Sequence, residues 1–138
     1  MDKIRVALDP GAIAPTRAHK EDAGLDLYTP VDFALYPGNS EIVDTGVHVE
    51  IPEGYVGFLK SKSGLNVNRG IVSEGVIDAG YTGSIVVKLY CHEAFTRFHR
   101  GDKVTQLVLL PVETPEIEIV DSISGGERGA NGFGSAGR

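Results

Sequence analysis

The alternation of apolar and polar residues along this chain, interrupted by closely spaced turn sequences, is the feature that most constrains its fold. Apolar side chains take every second position in four segments, residues 3–8, 31–35, 47–51 and 116–119. A period of two is that of a strand with one face in solvent. Turn sequences with glycine or proline recur about every 8 to 12 residues, which is typical of an all-β sandwich or barrel.

Two further segments, residues 85–91 and 104–110, are richer in apolar side chains than simple alternation gives. Nearly continuous apolar runs of this length predict strands that are covered on both faces. The chain offers no long amphipathic helical run, and the one helix that the sequence favours is a short turn after Gly64. The sequence therefore predicts an all-β protein with little helix.

Length and composition narrow the class of protein further. The chain has 138 residues, which is the length of one domain, and its net charge is −6. An acidic chain is a poor candidate for a sequence-independent nucleic-acid binder, so we expect no direct nucleic-acid contact. Cys91 is the only cysteine, and no apolar run is long enough for a signal peptide or a membrane span. We expect a cytoplasmic protein, either bacterial or in the host cytoplasm if a phage encodes it, with no membrane partner.

The last segment, residues 125–138, differs in kind from the rest of the chain. It contains 6 glycines and one large apolar residue, Phe133, and cannot bury enough surface to fold alone. An ordinary disordered terminus is one interpretation. The other is a flexible arm beside a barrel domain of residues 1–124, which closes over an anionic ligand with a flat base, because glycine-rich backbone binds anions and an aromatic ring stacks.

Two internal segments place charged residues where a ligand could use them. In residues 21–29, Asp26 lies between two leucines and is expected, taken alone, to be an outward-facing strand residue. In residues 60–65, we expect Lys60 and Lys62 to share one strand face before a Ser-Gly turn. Cations, a hydroxyl and a free backbone amide suit phosphate oxygens, although a solvated strand end explains the segment equally well.

Two more segments combine polar residues with apolar surroundings. In residues 74–83, Asp78 follows an apolar pair and precedes a glycine turn and Tyr81. Partial desolvation there would raise the basicity of the carboxylate, whereas a hairpin turn explains the aspartate structurally. In residues 100–110, Gln106 interrupts an apolar strand. A buried amide needs partners, and backbone groups are commoner partners than a ligand.

Taken together, these five segments closely resemble the five motifs of the trimeric dUTP diphosphatase (dUTPase) family in both order and spacing. The resemblance runs from about residue 21 to the last residue and rests on the strings AGLDLY, SKSGL, GVIDAGYTG, GDKVTQLVLLPV and RGANGFGSAGR. It implies a jelly-roll-like β-barrel in a homotrimer, with the C-terminal arm exchanged between subunits. It also implies Mg²⁺-assisted hydrolysis of dUTP to dUMP and pyrophosphate, which limits uracil in DNA and supplies dUMP.

The resemblance also implies roles for individual residues. Asp78 matches the general base that activates water for in-line attack on the α-phosphorus. The positions that match phosphate-binding residues are Lys62, Ser63, Gly64, Gln106, Arg128, Gly134 and Ser135. The positions that match uracil- and deoxyribose-binding residues are Gly75, Val76, Ile77, Tyr81 and Phe133. The triphosphate would carry the Mg²⁺, so no direct protein ligand is expected, and Asp26 is assigned at most a water-mediated contact.

The sequence departs from the family pattern at a few positions. Lys62 stands where the family usually has arginine, and a lysine offers a point charge instead of a two-pronged donor. Glu74 adds a negative charge beside an anionic substrate unless its side chain points away. Gly80 and Ala136 replace residues that are more often acidic and threonine. None of these changes removes a role that the reaction requires.

Two other functions remain open from the sequence. A dCTP deaminase of the same fold needs a glutamate beside the pyrimidine ring, and Glu74 is the only local candidate. A nucleotide-binding trimer that regulates a partner protein, with or without catalysis, would keep the same motifs.

Overall fold

The computed structural model describes residues 1–134 and 136–137. Within them the chain forms a predominantly β structure with a single short helix. The elements are β1 (Arg5–Leu8), β2 (Gly24–Tyr28), β3 (Phe33–Leu35), β4 (Ser40–Asp44), β5 (Val47–Glu50), β6 (Tyr55–Lys60), α1 (Ser63–Arg69), β7 (Ile71–Ile77), β8 (Val86–Cys91), β9 (Thr96–Phe98) and β10 (Lys103–Pro111).

One sheet of six strands dominates the fold. Its strand order is β2-β10-β6-β7-β8-β4, and β1-β5 and β3-β9 form two smaller sheets. Every strand pair is antiparallel. The large sheet curls around a single apolar core to which all three sheets contribute, for example Val47, Leu89 and Phe98. The predicted all-β, jelly-roll-like barrel is therefore confirmed.

The local predictions are mostly confirmed where the chain buries an apolar face. Strands occur at β3 and β5, and the short helix after the Ser-Gly turn is α1. Gly70 ends α1 in a left-handed conformation with φ of 65°, and its amide donates to the Asn66 carbonyl. Glycine adopts this conformation without a steric penalty, so it ends the helix sharply. No helix among the described residues is both long and apolar enough to span a bilayer.

Three predictions about strand faces are wrong for this chain. The strand β1 has no buried face, since all four of its residues are exposed. Residues 116–119 form no strand, and Ile117 and Ile119 are 88% and 89% exposed. The alternation is present there, but no strand of the described residues pairs with this segment. The strand β8 is covered on only one face, since Val86 and Tyr90 are exposed. The strand β4 pairs with residues 86–90 of β8 and β7 only with residues 89–91, and the outward side chains of β8 are exposed in the described part of the chain.

Candidate active site

A cavity of about 300 Å³ lies where β2, β10 and the start of α1 meet. It brings together several residues that the sequence predicts to bind phosphate, together with the aspartate of the first motif. Its lining residues are Ala18, Asp22, Ala23, Gly24, Asp26, Lys62, Ser63, Lys103 and Gln106. We call it the phosphate-side cavity.

Asp26 is the buried charge of the phosphate-side cavity. Only 3% of the residue is exposed, so the expectation of an outward-facing strand residue is wrong. The neighbouring strand β10 and the chain before α1 cover it and supply two cations. One carboxylate oxygen accepts a hydrogen bond from Lys62 Nζ, and the other lies 3.1 Å from Lys103 Nζ.

The electrostatics of this cluster follow from burial and ion pairing. Burial acts to raise the pKa of Asp26, but the hydrogen bonds and charges of Lys62 and Lys103 outweigh it, and the pKa lies below its ordinary value. The hydrogen bond from Lys103 to Asp26 raises the pKa of Lys103. Lys103 was not among the residues singled out in the sequence, although it stands three positions before Gln106 in the fourth motif.

Gln106 and Gly24 fit together on the wall of the same cavity. Gln106 Nε2 donates to the Ser61 carbonyl oxygen at 2.9 Å, so its partner is a backbone group, as the sequence favoured. A Cβ atom at position 24 would lie 2.1 Å from Gln106 Oε1. The glycine of the first motif is therefore needed to seat the glutamine, a role that sequence reasoning missed.

Lys60 does not share a strand face with Lys62, contrary to expectation. The strand β6 ends at Lys60, whose Nζ lies 2.9 Å from Glu74 Oε1 across the β6–β7 pair. Lys62 lies beyond the strand and turns towards Asp26. The departure at Glu74 thus places a carboxylate in an exposed ion pair, where Lys60 balances its charge.

Residues 78–84 form a connection between β7 and β8 that we call the Asp78 loop. Asp78 is exposed, so the partial desolvation expected from the sequence is not seen in this chain. The Tyr81 amide donates to the Asp78 carbonyl at 3.2 Å, and Gly80 between them has φ of 88°, as a tight turn requires. Asp78 does not line the phosphate-side cavity, whereas Gly80 and Tyr81 line a different one.

The two strands that flank the Asp78 loop separate before they reach it. The pairing of β7 with β8 extends only as far as Ser73 and Leu89. From Gly75 to Ile77, β7 pairs with β6 on its other edge, and among the described residues no strand pairs with the edge towards β8. This edge of Gly75, Val76 and Ile77, the residues that the resemblance assigns to uracil and deoxyribose, is therefore available for a ligand in the described part of the chain.

The arm carries the remaining predicted site residues. Residues 125–134 are exposed, including Arg128 and Gly134, and Phe133 is fully exposed with φ of 45°. The predicted phosphate-binding Ser135 lies outside the described residues. The chain alone therefore presents the predicted site residues as separate groups, in the phosphate-side cavity, on the Asp78 loop with its flanking edge, and on the arm.

Comparison with known proteins identifies the family. The dUTPase family model matches residues 11–137. The chain belongs to the dUTPase family.

Individual dUTPases agree with this assignment in sequence and in structure. The deoxyuridine 5'-triphosphate nucleotidohydrolase of Nocardia farcinica is 42% identical, covering 94% of this chain and 82% of that protein. The enzyme of the same name from Anaplasma marginale is 43% identical, with coverage of 97% and 95%. The dUTPase of Staphylococcus bacteriophage 80alpha, solved with dUpNHpp, superposes with a TM-score of 0.90 at 32% identity and covers 100% of both chains.

A further solved structure bears on the metal. A mutant dUTPase from phage phi11 of S. aureus, which coordinates a structural Mg(II) ion, superposes with a TM-score of 0.79 at 31% identity. The match covers 88% of this chain and 98% of the phage chain. These comparisons favour the dUTPase interpretation over a deaminase of the same fold.

Proposed function

We propose that this dUTPase hydrolyses dUTP to dUMP and pyrophosphate through a water molecule that Asp78 orients and deprotonates. The water attacks the α-phosphorus in line with the leaving pyrophosphate. Such a displacement needs positioning and charge neutralisation more than covalent help. The observation that carries the proposal is that a chain of this family gathers Lys62, Ser63 and Gln106 in one cavity.

The phosphate-side cavity is the proposed binding site for the triphosphate. Lys62 supplies a positive charge, the amides of Ser63 and Gly64 begin α1, and Gln106 contributes its side-chain amide. Hydrogen bonds from charged donors to phosphate oxygens are stronger than neutral ones. Asp26 fixes the ammonium group of Lys62 at the cavity, and Lys103 adds a second cation that partly offsets the negative charge of the chain.

The open edge of β7 is the proposed site for uracil. Backbone groups from Gly75 to Ile77 would read the edge of the base in the manner of a base pair and crowd a 5-methyl group. Tyr81 would pack beneath the deoxyribose and exclude a 2′-hydroxyl. Phe133 of the arm would stack on the base. Its ring is fully exposed and has no other partner in the described arm, and stacking on a flat base would stabilise it.

We propose that Mg²⁺ binds to the triphosphate of the substrate and has no direct ligand from this chain. Mg²⁺ prefers oxygen ligands and retains several waters. Both oxygens of the buried carboxylate, Asp26, are engaged by Lys62 and Lys103, so the fit is to an ion carried by the triphosphate, with Asp26 reaching only its water shell. When bound, Mg²⁺ neutralises negative charge on the phosphates.

The separation of the site residues within one chain supports a homotrimer whose sites lie between subunits. The barrel of residues 1–124 would contribute the cavity and the Asp78 loop to different sites, and the arm of residues 125–138 would close over a neighbour. The segment before the arm exposes an unusual number of large apolar side chains to solvent. Ile117, Ile119 and Ile123 are each about nine-tenths exposed. Closed symmetric assembly would cover such residues. We place the enzyme in the cytoplasm, where the single buried thiol, Cys91, stays reduced.

Pyrophosphate release from dUTP, dTTP, dCTP and UTP, each with Mg²⁺, tests the reaction and its selectivity. We expect rapid release from dUTP and slow release from the other three. Release of ammonia from dCTP would instead favour the deaminase, and tight dUTP binding without hydrolysis would favour a purely regulatory trimer.

Co-expression of two defective chains tests the shared site. One chain carries Asp78→Asn with its arm intact, and the other keeps Asp78 but ends after residue 124. Each homotrimer should be inactive, whereas mixed trimers should regain activity because the base of one chain meets the arm of another. Failure of mixed trimers to exceed either parent would show that the base and the arm act within one chain.

A further inference from the structure

The side chain of His48 on β5 connects the Asp78 loop to the barrel. His48 Nδ1 lies 2.8 Å from the carbonyl oxygen of Thr82, and Nε2 lies 2.8 Å from Asp9 Oδ1. Both partners are acceptors. A neutral imidazole carries one N–H, so both contacts are hydrogen bonds only in the doubly protonated imidazolium, which we assign from the partners.

A second attachment of the loop lies two residues further along the chain. Ser84 Oγ donates to Asp44 Oδ1, which also accepts the Gly46 amide at 3.0 Å. The Tyr81 hydroxyl donates to the Ser84 carbonyl oxygen at 2.8 Å. The loop is thus attached at Thr82 and Ser84, immediately after the residue proposed to pack beneath the deoxyribose. Of these two attachments, only the one at Thr82 uses a donor that titrates near neutral pH.

Charged groups from several elements surround His48. The carboxylates Asp9, after β1, and Asp44, at the end of β4, face it most closely, and Asp78 and Tyr81 are the titratable groups of the loop itself. The hydrogen bond to the Thr82 carbonyl, followed by that to Asp9, raises the pKa of His48 above its ordinary value.

The remaining charges near His48 form a pair of opposite sign. Arg5 of β1 and Glu50 of β5 line the same cavity as His48, Asp9 and Thr82, and their side chains approach to 3.4 Å. This pair contributes no net charge beside the imidazole. The nearby excess of negative charge from the aspartates therefore favours the imidazolium over the neutral ring.

We propose that His48 is a positioning residue of this dUTPase. Its imidazolium fixes the Asp78 loop against the barrel by donating to Thr82 and Asp9 at once, and the attachment weakens when loss of the proton leaves one N–H for two acceptors. The inference rests on the proposed function of Asp78 and Tyr81 and adds a proton-dependent control of their placement. The sign follows from the raised pKa. Both hydrogen bonds are present below the ordinary pKa of 6.5, and one of them is lost as the pH rises through the higher value in the folded protein.

The pH dependence of nucleotide binding provides the main test. The dissociation constant of dUpNHpp with Mg²⁺ is measured between about pH 6 and pH 9, the range in which a histidine with a raised pKa titrates. The variants are His48→Gln and the matched control His92→Gln, which changes an exposed histidine at the far end of β8. Comparison at each pH removes the ionisation of the nucleotide itself.

As the pH rises across this range, the dissociation constant of the wild type should increase relative to that of His48→Gln, on the order of threefold. A change of this size corresponds to the free energy of about one hydrogen bond. His92→Gln should follow the wild type at every pH. If the ratio of the two dissociation constants, wild type to His48→Gln, stays constant with pH, the proposal is wrong.

The Asp9→Asn variant distinguishes a proton-dependent role of His48 from a purely structural one. It removes the carboxylate that stabilises the imidazolium, so the wild-type pH transition should persist but move to lower pH. If His48 had only a packing role, its replacement would change the affinity for dUpNHpp, but Asp9→Asn would not move the midpoint of the pH transition. A midpoint that stays in place in a folded Asp9→Asn protein would contradict the inference.

Amide hydrogen exchange of residues 78–84 separates this inference from the proposed function. After correction for intrinsic exchange, His48→Gln should change the protection of the loop at low pH and match the wild type at high pH. This readout needs neither binding nor turnover. If dUpNHpp failed to bind while the exchange difference appeared, the proposed function would be wrong and the role of His48 would stand. Equal protection in both proteins at all pH values would refute that role.

Discussion

The phosphate-side cavity and the Asp78 loop differ in how much of their structure one chain completes. The cavity has a buried carboxylate with two cationic partners and a glutamine seated on a glycine. The Asp78 loop has an exposed aspartate and an exposed tyrosine beside a strand edge that pairs with no strand of the described residues. The difference indicates that the proposed phosphate-binding groups are fixed by the fold of one chain. Under the proposed homotrimer, substrate and neighbouring chains would complete the surroundings of the groups proposed to bind the base and the attacking water.

The comparison is tested most strongly at Asp78. Replacing it with asparagine should lower kcat for dUTP by about a thousandfold, because the amide cannot accept the proton of the attacking water. The thermal midpoint should stay within about 1 °C of the wild type, since exposed substitutions away from buried networks cost little. Pyrophosphate release measures the change in kcat, and thermal unfolding measures the midpoint. Full turnover by this variant would exclude Asp78 as the base.

At Asp26, by contrast, we expect the main effect to be on stability. Asp26→Asn leaves Lys62 and Lys103 without their carboxylate, and we expect a loss of about 2 kcal/mol in the free energy of unfolding. A fully buried pair would cost more, but both lysines are partly exposed. Urea unfolding at neutral pH measures the loss. An unchanged midpoint would show that the cavity is not a stable part of the single-chain fold.

The acid dependence of the same variant gives a control. The lowered pKa of Asp26 means that its contribution to stability is present above the ordinary value of 3.8 and is lost as the pH falls through the lower value in the folded protein. The stability difference between wild type and Asp26→Asn should therefore shrink in acid. A difference that grew below that pH would contradict the assignment of the ion pairs.

A smaller effect is expected at Gly24. Gly24→Ala places a Cβ against Gln106 Oε1, which forces the glutamine to move. The cost in stability should be about 1 kcal/mol, at the low end for overpacking, because the displaced atom is the far end of a flexible side chain. The catalytic efficiency for dUTP should fall as well, because Gln106 leaves its position in the cavity. Gly125→Ala, in the arm and with open space around it, is the matched control for stability. Equal stability of the two variants, with unchanged catalytic efficiency in Gly24→Ala, would show that the cavity tolerates a displaced glutamine.

The smallest effect is expected at Glu74. Glu74→Gln removes an exposed ion pair with Lys60, and such pairs contribute less than about 1 kcal/mol. We expect kcat/KM for dUTP to change less than about twofold by the same reasoning. Steady-state kinetics at two salt concentrations measure this, since a direct effect on substrate would depend on salt. A large gain in dUTP affinity would place Glu74 beside the phosphates.

Much of the fold was accessible from the sequence because burial leaves a periodic pattern. The strands at β3, β5 and β10 and the short helix α1 follow from alternation, apolar runs and turn residues. The face assignments of β8 and of residues 116–119 failed for a different reason. Periodicity shows that one side of a segment is apolar, but it does not show which surface covers that side. In the single chain, Ile117 and Ile119 remain exposed.

The candidate site was accessible only through the order and spacing of its motifs. Asp78, Lys62 and Gln106 carry no individual signal that separates them from turn, surface and strand residues. Lys103 and Gly24 were missed because their importance depends on contacts with residues far away in the sequence. The same holds for His48, whose partners Asp9 and Thr82 are 39 and 34 positions distant.

The sequence by itself determined the all-β class, the family resemblance and the list of reactive side chains, because strand periodicity and motif spacing are properties of the linear chain. Only the tertiary structure decided which charges meet. It buried Asp26 between two lysines, turned Lys60 towards Glu74 and attached the Asp78 loop through His48. Charge pairing and hydrogen-bond satisfaction depend on distances between strands that pair across the sheet, and no local pattern in the sequence encodes those distances.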